Sequence, residues 1–360
     1  MPSKFSYFVF VVTVASVTLL TQFSVVNARD VFVNNRSGDD TRFGYNADSI
    51  SDSTGPVRTI KRAIEIARNG DRVVLEPNDT PYNETIVLTR YNNSGSRELP
   101  FIIEGNGAVI DGTRPLPDGV WEYAGDNLFR FTPPIRTTDF TYFQIYDKLG
   151  EITFIKSQYG KTMPQLSPRE WTLYNGKVFF MAEDGKTPLK QSDYNFVYTH
   201  FTSGVTLLQV ANVRIHDLTV QGFQIDGISA FNNTDVVLDN VTCSNNGRAG
   251  LTVANASKVA AGFCTFKGNV ETDVQMLPNS KAHLYACDIE RTSGEPEQMV
   301  TEDSEDGSKG AAAVMRNKEV KQNLLPMPKS KQRTQSTPKP SQTKPKNQTT
   351  VDENDDPFDL

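Results

Sequence analysis

Residues 204–226 read GVTLLQVANVRIHDLTVQGFQID, residues 227–249 read GISAFNNTDVVLDNVTCSNNGRA, and residues 250–272 read GLTVANASKVAAGFCTFKGNVET; residues 273–290 continue as DVQMLPNSKAHLYACDIE. Written one beneath another, these lines repeat every 23 residues. One column reads Val205, Ile228, Leu251, Val274, and two residues on comes Leu207, Ala230, Val253, Met276. A second pair of columns is Val213, Val236, Val259, Ala282 and Ile215, Leu238, Ala261, Leu284. The third is Leu218, Val241, Cys264, Cys287 and Val220, Cys243, Phe266, Ile289. Apolar residues spaced by two place their side chains on one face of a strand. Three such strands per line, all turned inward and repeating in register, describe a parallel β-helix. A leucine-rich horseshoe would show one strand per unit with a fixed loop asparagine, and this repeat lacks it.

The reading extends outward from there. Val73–Leu75, Ile86–Leu88, Phe101–Ile103 and Ala108–Ile110 are short apolar runs broken by Asn, Gly and Pro, as earlier and looser coils would be. Ahead of them, Thr59 to Arg68 carries Ile60, Ala63, Ile64 and Ala67 at helical spacing, with Gly70 as the stop. An amphipathic helix there would cap the open apolar end of the first coil. Residues 113–200 break the period. Alternating stretches such as Lys177–Met181, with turn pairs Asn175-Gly176 and Asp184-Gly185, predict an inserted β-rich subdomain of antiparallel hairpins. Beyond 292 an acidic run gives way to a stretch rich in Lys, Pro, Gln and Thr, a composition expected to stay disordered. The expected organisation is a leader (1–28), a cap with the first coils (29–112), the insert (113–200), the 23-residue coils (201–292) and a charged tail (293–360). The fold class is all-β, a right-handed parallel β-helix of about six coils.

Lys4 precedes an apolar run from Phe5 to Leu20, and the segment ends Val26-Asn27-Ala28, the pattern of a cleaved secretory signal. The run is shorter than the roughly 20 residues a membrane-spanning helix needs, so no span is expected after its removal. The expected location is secreted, periplasmic or at the cell surface. A net charge of -6 speaks against nucleic acid as the partner. With three histidines and no CxxC or HExxH motif, neither metal nor cofactor is expected. His216 and His283 fall in different columns and read as surface residues. Three cysteines make no disulfide framework. Cys264 and Cys287, one rung apart, are either a bridge or a stack of buried thiols. The Asn-x-Ser/Thr sequons, among them Asn232, Asn240 and Asn255, read as turn residues.

The opening of the chain carries a resemblance. Val31-Phe32-Val33-Asn34-Asn35, Ser37-Gly38-Asp39-Asp40, Gly55-Pro56-Val57-Arg58-Thr59-Ile60 with Ala63, and Gly70-Asp71-Arg72-Val73-Val74-Leu75 resemble the start of bacterial secreted β-helix proteins of the pectin-lyase-like superfamily. The insert, from Trp121 to Trp171 and Phe180, is similar to the β-rich insertion of some glycan-active members. The resemblance implies the fold and a polysaccharide or cell-surface glycan as partner, and leaves the activity open, because the superfamily holds lyases, hydrolases, esterases and adhesins. The chain departs from it in having no paired Asp-Asp motif of the polygalacturonase kind and no regular Arg or Lys columns.

Polar residues cluster at one turn of successive coils: Gln224 and Asp226, then Asn246 and Arg248, then Glu271 and Asp273. Asp226 and Glu271 would supply two carboxylates with Arg248 between them, the groups that hydrolysis or β-elimination of a glycan needs. Two rungs apart is ~9.6 Å, at the upper edge for an inverting pair. The alternative is an ion-pair ladder linking coils. Gln224, Asn246 and Asp273, with Trp121 and Trp171 for stacking on sugar rings, are the candidate binding residues; the tryptophans read equally as the core of the insert. Three functions stay open: a monomeric glycan-binding module, a polysaccharide lyase or inverting hydrolase on the Asp226/Arg248/Glu271 face, and a structural cell-surface protein.

Overall fold

A computed structural model describes residues 28–133, 142–147, 152–156, 162–186, 188–294 and 299–302; the expected leader apart from Ala28 and most of the expected tail lie outside them. The chain winds as a right-handed parallel β-helix. One long sheet follows the order Asp30–Val33, Arg72–Leu75, Phe101–Asp111, Ala211–Gln221, Thr234–Asp239, Lys258–Gly262, Lys281–Tyr285 and Met299–Glu302. A 6-stranded sheet faces it, built from Ile86–Thr89, Val205–Leu208, Asp226–Phe231, Ala249–Ala254, Thr272–Met276 and Thr292–Ser293. A third row of short strands, Thr242–Ser244, Thr265–Lys267 and Asp288–Ile289, extends the second half of Ala211–Gln221.

The 23-residue columns are the register of these sheets. Val205 pairs with Ile228, Ile228 with Leu251, and Leu251 with Val274. Val213, Val236, Val259 and Ala282 stack likewise, as do Ile215, Leu238, Ala261 and Leu284. These side chains form one continuous buried core, each large member contributing ~1.5–3 kcal/mol relative to exposure. Parallel pairing also runs past residue 292, where Met299–Glu302 adds to Lys281–Tyr285.

A coil this short must turn sharply three times, and residues in the left-handed region recur at 23-residue spacing to do it. Gln209, Asn232 and Asn255 form one such corner, Asp217, Asn240, Phe263 and Ala286 the second, and Gly222, Asn245 and Gly268 the third. Asn and Asp tolerate positive φ because their short polar side chains bond locally. This explains the asparagine enrichment that writes sequons into the turns.

The cap helix spans Ile60–Ile66, with Thr59 as N-cap accepting from the Arg62 N–H. Glu84 accepts from the Ile60 and Lys61 N–H groups, and Ile60, Ala63 and Ala67 bury against the first coil. The region 113–200 holds a 5-stranded and a 3-stranded sheet, both with antiparallel pairing. Strands Glu170–Tyr174 and Lys177–Met181 meet through Asn175 and Gly176, both at positive φ as a tight hairpin turn demands. Its own aromatic core holds Phe129, Phe180, Phe196 and Trp171. It lies against the solenoid: the Tyr146 hydroxyl donates to the Asn245 carbonyl, 2.8 Å. At the neighbouring Gly247 a β-carbon would sit 2.1 Å from the Gln224 carbonyl oxygen and 2.2 Å from the Tyr142 carbonyl oxygen, so the previous coil and the insert together require glycine there.

Candidate functional site

The turn singled out from the sequence is an interior joint. Asp226 is fully buried; it accepts from Arg248 Nε at 2.9 Å, Arg248 Nη2 at 2.6 Å and Ser229 Oγ at 2.6 Å. The Arg248 guanidinium also lies 5.9 Å from the Tyr142 ring of the insert. Asn246 is buried in an asparagine ladder. Its Oδ1 accepts from the Phe223 N–H, and its Nδ2 donates to Asn269 Oδ1 at 2.9 Å and to the Val220 carbonyl. Asp273 is buried too, accepting from Asn269 Nδ2 and the Arg291 N–H. Gln224 is buried, and among the six turn residues only Glu271 is exposed.

These placements correct the expectation. Asp226 and Glu271 share no open space, because Asp226 is sealed under Arg248 and the insert while Glu271 points outward. Asn246 and Asp273 hold adjacent coils together, and Gln224 is buried beside them, so none of the three faces open space. Trp171 is core, with Phe154 at 4.5 Å. Trp121 is half-buried edge-on against Phe131 at 4.7 Å. His216, read as a surface residue, is only 5% exposed.

Chemically useful side chains converge instead on the outer face of the long sheet. Strand pairing sets Val74, Glu104, His216, Asp239, Gly262 and Tyr285 side by side across successive coils. A parallel row, two residues earlier on each strand, contains Arg72, Ile102, Arg214, Val237, Ala260 and His283. Burial pushes the Glu104 carboxyl above its ordinary range, against the pull of His216 and Arg72; Asp217 and Asp239 add to the rise. His216 Nδ1 lies 3.7 Å from Asp239 Oδ2, too far for a hydrogen bond, and among the described residues no other group bonds to it. Glu104 and Asp239 stand two strand steps apart, ~9.6 Å between backbones, with the imidazole between them.

At its N-terminal end this face opens into a cleft of about 690 Å³ lined by Arg29, Asp30, Phe32, Tyr45, Arg72 and Ile102. Arg72 is clamped to Asp30 at 2.8 and 2.6 Å, and the Arg29 guanidinium sits 5.2 Å from the centre of the Tyr45 ring. Sequence reasoning missed Glu104 because it lies before the insert, outside the regular period. The available signal was Asp239 standing 23 residues after His216 on the same outward column. Among the described residues, no three His, Cys, Asp or Glu side chains are grouped so as to hold a metal ion, and no helix is long and apolar enough to cross a membrane.

Residues 203–323 match the family described as the right handed beta helix region. No curated protein matches the chain. Among solved structures, XylC in complex with xylose is 10% identical with a TM-score of 0.45, over 76% of this chain and 62% of that one. Pectate lyase Pel9A is 10% identical with a TM-score of 0.36, over 73% and 54%. The GH136 lacto-N-biosidase from Eubacterium ramulus is 11% identical with a TM-score of 0.28, over 73% and 52%. The chain thus spans less than two thirds of the length of each. The family match over the regular coils and the sheet order agree: this is a right-handed parallel β-helix protein.

Proposed function

We propose that this chain is an exported glycan-binding β-helix protein that holds its ligand along the outer face of the long sheet. The observation that carries this reading is the pair Glu104 and Asp239, flanking the largely buried His216 on the outer face, which runs on at one end into the cleft of Arg72, Phe32 and Tyr45. A sugar presents hydroxyls at its edge and apolar C–H groups on its faces. Carboxylates accept from the hydroxyls, arginine donates to ring and hydroxyl oxygens, and aromatic rings cover the C–H face. A concave apolar surface with a few polar groups converging on it is the usual form of such a site.

A second reading follows from the same row. Burial raises the Glu104 carboxyl toward the range a general acid needs, and Asp239 stands two strand steps along the same face, a backbone spacing of ~9.6 Å that suits the wider, inverting arrangement of two carboxyls better than the closer, retaining one. In that reading Glu104 donates its proton to the leaving oxygen and Asp239 activates water.

The test is calorimetric titration of the full exported chain with xylohexaose, cellohexaose and hexagalacturonic acid, beside Glu104→Gln and Asp239→Asn. Binding by the parent to one of these, weakened in both variants while their melting points hold, is the expected result. Parent and variants binding alike would remove this face as the site. New reducing ends from the parent, lost in Glu104→Gln, would favour the hydrolase.

A further inference from the structure

At the corner where each coil leaves the long sheet, the left-handed position is held by Asp217, Asn240, Phe263 and Ala286, with φ of 47°, 52°, 53° and 49°. Asp and Asn suit that backbone; a bulky aromatic residue is an outlier there. Phe263 is also 59% exposed, so core packing does not compensate for the strained backbone. Its ring meets Tyr285 edge-on at 5.4 Å, and its N–H donates to the Tyr285 carbonyl at 3.0 Å. Strain together with exposure at one residue points toward a function served there.

The surroundings say which function. Gly262 precedes Phe263 and separates Asp239 from Tyr285 in the outward row, and Ala260 lies beside it in the neighbouring row. A β-carbon on Gly262 would meet only Asp239 Oδ1, at 3.7 Å. The floor is therefore small and open, with a carboxylate on one side and two aromatic rings on the other. That juxtaposition fits a flat ring with hydroxyls on its edge and apolar C–H groups on its face.

We infer that Phe263 and Tyr285 form the stacking platform of a pyranose subsite next to Asp239, so that a glycan chain runs along the face from Glu104 to Tyr285. The inference rests on the glycan-binding reading above and adds where the chain lies. The row from Phe32 to Tyr285 spans six strand steps, ~29 Å, room for several sugar units in line.

The test uses the full exported chain with Phe263→Asn, which installs the residue type found at Asn240, and Tyr285→Ala, each titrated with the same three hexasaccharides. Phe263→Asn is expected to raise the melting temperature by relieving the backbone while weakening binding about 10-fold, the size of one lost aromatic contact. Tyr285→Ala is expected to weaken binding similarly. A structural role for Phe263 would instead lower the melting temperature and leave affinity unchanged. If the parent binds and Glu104→Gln weakens it while Phe263→Asn does not, the subsite is overturned and the glycan-binding reading stands. If the parent binds none of the three, both fall. If sedimentation shows that Phe263→Asn turns a dimer into a monomer, the ring serves a second copy of the chain and the subsite is again overturned.

Discussion

Replacing Asn246 by alanine separates a structural asparagine from a ligand-binding one. The side chain accepts from the Phe223 N–H at 3.1 Å and donates to Asn269 Oδ1 at 2.9 Å and to the Val220 carbonyl at 3.4 Å, all in a region closed to solvent. Alanine leaves the Phe223 N–H without its acceptor, and an orphaned buried donor costs ~1–3 kcal/mol. Losing the short bond to Asn269 adds ~1 kcal/mol; that oxygen keeps the Asn246 N–H, and the long bond to Val220 adds little. The sum is roughly 2–4 kcal/mol, which lowers the melting temperature by about 5–15 °C for a body of this size. Thermal unfolding followed by circular dichroism, with the urea midpoint as a second measure, reads the loss directly. Glycan affinity of the folded fraction should stay unchanged. An Asn246→Ala protein that melts within a degree of the parent but loses affinity would refute the ladder and restore Asn246 to a binding surface.

Leu238→Asp should be severely destabilising, since it buries an unpaired carboxylate in the central column, while Thr242→Asp on the outward face should cost ~0.5 kcal/mol or less; equal urea midpoints would break the register. Cys264 and Cys287 are free thiols on adjacent rungs, with the Cys264 thiol pushed up by the Cys287 thiol and by burial. Mild oxidation should close a disulfide between them, seen by mass as the loss of two hydrogens, and raise stability by ~3 kcal/mol; two separately alkylated thiols after oxidation would argue for stacked hydrophobes. Because the Glu104 carboxyl titrates above its ordinary value in the fold, the native state binds the extra proton. Stability therefore falls as pH rises from the ordinary glutamate range through that raised value, and Glu104→Gln should flatten this part of the profile. Cleavage after Ala28 would leave the Arg29 amine 3.1 Å from Oδ1 of the buried Asp71, so the exported N-terminus should read Arg29 and melt higher than a chain carrying extra residues there; an intact Met1 would overturn it.

The solenoid core was legible in the chain because a repeat of fixed length pairs each residue with the one a coil away. Val205 over Ile228 and Leu238 over Ala261 follow from counting. The corners are legible only in part: Asn232, Asn240 and Asn255 read as turn residues because positive φ favours Asn, but Gln209, Phe263 and Ala286 hold the same corner columns and give no such signal. The turn bearing Asp226, Asn246 and Asp273 was equally visible as a polar column, but polarity alone does not distinguish a hydrogen-bonded joint from a binding surface. Burial decided that: Asn246 and Asp273 are closed in by bonds to neighbouring coils, and Arg248, which covers Asp226, meets Tyr142 of an insert whose docking leaves no period in the sequence.

Glu104 and His216 show the other side of the division. They are adjacent on the sheet, yet the insert stands between them in the chain, so no spacing rule connects them. Local sequence determined that each lies on a strand with its side chain outward. That their strands adjoin follows from the chain returning to the coil it left, and only the folded chain fixes that return: the energy of pairing Phe101–Asp111 with Ala211–Gln221 depends on contacts across the gap, whatever residues fill it.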